Sequence, residues 1–88
     1  MNATQVANLH VLLMQQLYEA APFYLPELVI VGGTRSSLGF EEKDILRELG
    51  FLESKGLVEK EEHPTSAGLL RWKLTDKGFD HLRRNKMV

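Results

Sequence analysis

"GLVEKEEHPTSAGLLRWKLTDKG", residues 56–78, decides how this 88-residue chain is read. Leu70, Trp72 and Leu74 alternate with Leu69, Arg71, Lys73 and Thr75, a period of two that gives one packed face and one wet face. The weaker strand "LVEKEE" is placed to pair with 69–75 across "HPTSAG", whose Pro64 and Gly68 suit a loop. Thr75 then caps a last helix, with Asp76 in its first turn and Phe79 and Leu82 facing inward. Trp72 reads as a core anchor beneath the hairpin rather than as a stacking platform.

Upstream of the hairpin, "FEEKDILRELGFLESKG" is helical. Glu41, Glu42 and Asp44 complement the dipole of its first turn, and Ile45, Leu49 and Leu52 form an inward stripe. Gly56 stops it at the left-handed C′ position, with Leu57 placed for the accompanying apolar contact. Earlier still, Val6, Leu9, Leu13 and Leu17 mark a first helix, capped by Asn2 or Thr4 and ended by Pro22. Val11, Leu12 and Met14 widen its apolar surface toward either a partner or a later helix. Leu28 to Val31 suit a strand or a short buried helix; Pro26 at a first helical position and Gly32 at a C-terminus favour the helix. The expected spans are helix 1 about 3–20, helix 2 about 26–34, helix 3 about 41–55, hairpin 57–75 and C-terminal helix about 76–86.

Composition sets the class. With 43% hydrophobic and 26% charged residues the chain reads as one globular domain, 1–88. A domain this small buries only about 60–65% of its unfolded surface, so docking on a second copy would add apolar burial. No cysteine is present, which excludes a disulfide framework, a thiol nucleophile and a cysteine metal site. "MNATQVANLH" has no secretory pattern, and no apolar run approaches the roughly 20 residues that span a bilayer, so a cytoplasmic protein without membrane contact is expected. His10, His63 and His81 lack metal-ligand spacing, and no acid sits in a catalytic motif. "GGTRSS" lacks the phosphate-loop pattern and reads as a turn. Neither an enzyme nor a cofactor is expected.

Helix, helix, helix, hairpin, helix resembles a winged helix-turn-helix domain over roughly residues 5–84, an α+β fold that is mainly α. Leu52, Gly56, Leu57 and Val58 match the helix-to-wing junction; Leu74, Thr75, Lys77 and Gly78 match the "LTxKG" exit of MarR-like and PadR-like regulators. The segment between helices 1 and 3 is also faintly similar to small winged-helix proteins of Mu-like phages. The resemblance implies a transcriptional regulator with helix 3 in the major groove of DNA and the hairpin wing on the backbone or in the minor groove. The small core and the apolar second face of helix 1 add a further expectation, a homodimer through helix 1 and the C-terminal helix.

Charge complicates that expectation. The pI is 6.3, whereas nucleic-acid domains are typically above about 9. Residues 41–62 carry eight acids and four bases, net −4, and residues 63–88 carry six bases and two acids, net +4. Placed at about 100° per residue, however, Lys43, Arg47, Gly50 and Ser54 fall opposite the core stripe while the acids lie on the flanks or nearer the core. The candidate DNA contacts are therefore Lys43, Arg47 and Ser54 on helix 3, with Arg71 and Lys73 on the wing. Glu59 and Glu61 on the partner strand are placed to neutralise the last two. The alternative is a winged-helix module that binds a protein partner and has no affinity for DNA.

Overall fold

Asn2 begins the first helix through a reciprocal cap: its side-chain oxygen accepts from the Gln5 backbone N–H at 2.9 Å, and its own N–H donates to the Gln5 side chain at 3.0 Å. The computed structural model describes residues 1–87, and its elements are α1 (Ala3–Ala20), β1 (Leu25–Pro26), α2 (Glu27–Leu38), α3 (Glu42–Ser54), β2 (Val58–His63), β3 (Ser66–Leu74) and α4 (Asp76–Arg84). Helix, strand, helix, helix, hairpin is the winged helix-turn-helix arrangement, here with α4 appended. Leu9, Leu13 and Leu17 of α1 meet Ile30 of α2, the Ile45, Leu49 and Leu52 stripe of α3, the inner wing residues Val58, Trp72 and Leu74, and Leu82 of α4 in one core. None of the described helices is long and apolar enough to cross a membrane.

β2 and β3 form the expected two-stranded hairpin, and β1 adds a third strand: in the order β1-β3-β2, Leu25 and Pro26 pair with Trp72 and Arg71. Their extended backbone comes from this pairing and from the proline, so no periodic signal precedes it. Helix α2 continues through Gly32 and Gly33 to Leu38 and ends at Gly39, whose φ of 71° takes the left-handed position assigned to Gly32. "GGTRSS" is thus helical rather than a turn. Thr34, fully buried, ties this stretch to α1: its hydroxyl donates to the Ile30 carbonyl at 2.7 Å and accepts from Gln16 of α1 at 2.9 Å. The absence of a side chain at Gly33 allows that approach, since a Cβ there would lie 3.2 Å from the Gln16 Oε1.

The hairpin is also tighter than "HPTSAG" implied. β2 runs to His63 and β3 begins at Ser66, with a register irregularity between Glu62 and His63. Gly56, at φ 74°, ends α3 as expected, and the Leu57 N–H returns to the Leu52 carbonyl at 3.1 Å. The apolar second face of α1 is partly covered by its own chain: Met14 is buried, Val11 and Leu12 are half-buried, and Gln15 donates to the Met87 carbonyl at 2.8 Å.

Candidate nucleic-acid interface

Amphipathic packing orients α3. Ile45, Leu49 and Leu52 anchor it in the core, which leaves Lys43, Arg47, Gly50 and Ser54 exposed along its outer ridge. The ridge inferred from helical periodicity therefore exists, and Lys43, Arg47 and Ser54 share it. Their polar groups are already engaged within the protein. Lys43 Nζ lies 3.4 Å from Glu41, and the Ser54 hydroxyl donates to the Phe51 carbonyl at 2.6 Å. Arg47 is held twice, with Nη2 3.1 Å from Asp44 and Nε donating to Glu48 Oε2 at 2.9 Å.

Glu48 joins this ridge to α1. It is only 7% exposed, and its other carboxylate oxygen lies 2.7 Å from His10 Nε2. A carboxylate only accepts, so the His10 proton is on Nε2 in this arrangement. The His10 ring stacks on Phe51 at 5.2 Å with the planes 9° apart. Burial pushes the Glu48 carboxyl upward, yet hydrogen bonds from Arg47 and His10 outweigh it and hold the group below its ordinary value. The same contact with Glu48, reinforced by Asp44, raises Arg47.

The wing divides its charges between two faces. Register sets Lys60 opposite Trp72, Glu59 opposite Lys73 and Glu61 opposite Arg71. Since Trp72 points into the core, Val58, Lys60 and Glu62 share the α3 side of the sheet, and Arg71, Lys73, Glu59 and Glu61 take the outer side. Lys60 Nζ lies 3.7 Å from Glu53 of α3 and 5.6 Å from the Trp72 ring centre. On the outer side, Arg71 and Lys73 lie over the Tyr24 ring at 4.5 and 4.8 Å. Arg71 pairs with Glu61, and Lys73 lies 3.3 Å from Glu59, which raises the lysine.

The five residues singled out from sequence therefore fall into two groups. Lys43, Arg47 and Ser54 are together; Arg71 and Lys73 are on the opposite side of the sheet from α3. Lys60 is the wing cation on the α3 side. Its alternation with Glu59 and Glu61 carried that signal, which the net acidity of "LVEKEE" obscured. His10 and Glu48 are 38 positions apart, and no local pattern announces their pairing.

Acid should expose the value of these carboxylate contacts. Glu48 and Glu61 both sit below the ordinary 4.5, Glu61 chiefly through its bond from Arg71. Their contribution to stability is thus present above that value and is lost as pH falls through the depressed ones. Glu61 is the more exposed, so its share is small. Circular-dichroism melts should give a melting temperature that falls below about pH 4.5, with a shallower acid limb in Glu48→Gln. An unchanged acid limb in that variant would contradict the assignment.

No protein-family model matches the chain, and no curated protein matches it in sequence. Among solved structures, it is similar to a PadR family transcription regulator from Clostridium difficile R20291, with 24% identity and a TM-score of 0.68 over 89% of this chain and 82% of that one. At that identity the likeness shows a shared fold.

Proposed function

We propose that this chain is a DNA-binding, winged-helix regulator of transcription acting in the cytoplasm. In this reading α3 enters the major groove and the hairpin wing lies on the backbone. The observation that carries it is the outward, solvent-exposed ridge of Lys43, Arg47, Gly50 and Ser54, presented by a fold shared with a transcription regulator. Arg47 is the base reader, Lys43 and Ser54 contact phosphate, and Lys60 brings the wing to the backbone beside α3. Arg71 and Lys73 lie on the outer side of the wing, on the opposite face of the sheet from α3, and take no part in this contact.

A pair formed through α1 and α4 completes this reading. The two helices border an apolar groove of about 450 Å³ lined by Val11, Met14, Phe51, Leu57 and Met87. A two-fold dimer would place its recognition helices on half-sites about one DNA turn apart, roughly 34–36 Å.

Fluorescence anisotropy on mixed-sequence duplexes tests the reading. With Lys43 and Lys60 neutralising about two phosphates per chain, affinity should fall roughly 12-fold between 50 and 200 mM salt. Arg47→Ala should weaken binding to a selected site by about tenfold to a hundredfold, and Lys73→Ala should change it little. No binding at low salt, or an unchanged affinity in Arg47→Ala, would remove the proposal's basis.

A second reading, a protein-interaction module, draws on a specific observation. Lys43, Arg47, Arg71 and Lys73 each already face a carboxylate of the same chain. Co-purification of a stoichiometric protein partner by a chain that fails to bind DNA at low salt would support it.

A further inference from the structure

We infer that Glu48 is a specificity-determining latch on Arg47, positioned from α1 by His10; this rests on the DNA-binding reading above. Arg47 projects from the exposed ridge of α3, yet two of its nitrogens are held by acids of the same helix. Asp44 lies one turn back, at the edge of solvent. Glu48 differs because it is almost fully buried, and its second oxygen is fixed by His10 across the α1–α3 contact. The carboxylate therefore cannot follow Arg47 outward, so an Arg47 that turns its Nε–Nη2 edge to DNA must first leave it.

That exchange makes Arg47 selective. Among base edges, a lone acceptor replaces only part of what Arg47 surrenders. The paired O6 and N7 of guanine, in bidentate geometry, replace both charge-assisted hydrogen bonds at once. Glu48 thus lowers affinity for every sequence and lowers it least where guanine meets Arg47. The acidic character of helix 3, which argues against indiscriminate DNA binding, becomes a source of discrimination. His10 is the positioning residue. Its ring is clamped against Phe51, so the carboxylate is aimed from outside the recognition helix.

The test compares wild type, Glu48→Gln, Arg47→Ala and the Arg47→Ala, Glu48→Gln double variant on random-sequence duplex DNA at low salt. Glutamine keeps the shape and one acceptor while removing the charge. Glu48→Gln should bind random duplex about tenfold more tightly than wild type, the scale of one charge-assisted hydrogen bond. Sequence selection should return weaker guanine preference with it than with wild type. The affinity gain should vanish in the Arg47→Ala background. A gain of equal size there would show simple charge removal and overturn the latch, as would unchanged affinity and selectivity in Glu48→Gln. If Glu48→Gln does not fold, Asp44→Asn should show the same direction through the other partner of Arg47, and its failure to do so would also overturn the latch. Absence of DNA binding by wild type and every variant would instead overturn the DNA-binding reading itself.

Discussion

Gly78→Ala is expected to lower the melting temperature by roughly 15 °C, the result of about 3 kcal/mol of overpacking in a domain of this size. A Cβ at Gly78 would lie 2.1 Å from the Leu57 carbonyl oxygen and 2.9 Å from Leu74 Cδ2. The first of these is backbone, and it is not free to retreat. The same carbonyl accepts the Thr75 N–H at 3.1 Å, and the Thr75 hydroxyl donates to the Gly56 carbonyl at 2.5 Å while accepting the Gly78 N–H at 3.1 Å. The first turn of α4 thus sits directly on the junction between α3 and the wing. The glycine of the "LTxKG" pattern is required there by close approach, and its place in the sequence acquires a physical reason. Gly50→Ala supplies the contrast. A Cβ at Gly50, in the exposed interior of α3, meets nothing within 4 Å, so alanine there should stabilise by about 0.5–1 kcal/mol. Thermal melts that place both variants within a degree or two of wild type would refute this account of the junction.

Trp72→Ala should cost about 3–5 kcal/mol, a large part of the 5–15 kcal/mol that holds a typical domain together. Trp72 is 3% exposed in the central strand of the sheet and is flanked by Leu25 on one side and Lys60 on the other. Its indole N–H donates to Glu27 Oε1 at 3.0 Å, tying the strand to the first turn of α2. Removing the ring would leave a cavity beneath the hairpin and free the carboxylate that fixes α2. Trp72→Phe separates these effects: it keeps most of the apolar contact, loses the hydrogen bond and should cost about 1–2 kcal/mol. Urea unfolding measures both. Equal losses in the two variants would mean that the indole N–H, rather than the ring, carries the anchor.

The sequence revealed those elements whose signals are local. Caps at Asn2 and Thr75, the apolar stripe of α3, the left-handed glycine at position 56 and the change of period at Leu69 each depend on neighbours in the chain. β1 does not, because two residues become a strand only by meeting Arg71 and Trp72 from far along the sequence. The full length of α2 was hidden for a related reason. Gly32 and Gly33 resemble a stop until the buried Thr34 finds Gln16 on another helix. At the candidate site, helical periodicity sufficed to place Lys43, Arg47 and Ser54 on one ridge. Shared residue type on the wing did not suffice, because strand alternation sends Arg71 and Lys73 to the outer face and Lys60 to the α3 side. The clamp of Glu48 by His10 is a purely tertiary contact.

The most direct test of the DNA-binding reading is residue-resolved. The ¹⁵N-labelled protein would be titrated at low salt with mixed-sequence duplex DNA, and the amide shifts followed by NMR. Expected are salt-reversible shifts concentrated on Lys43, Arg47, Gly50, Ser54 and Lys60, with the α1–α4 groove quiet. Shifts absent at low salt, or confined to residues away from α3 and the wing, would contradict it.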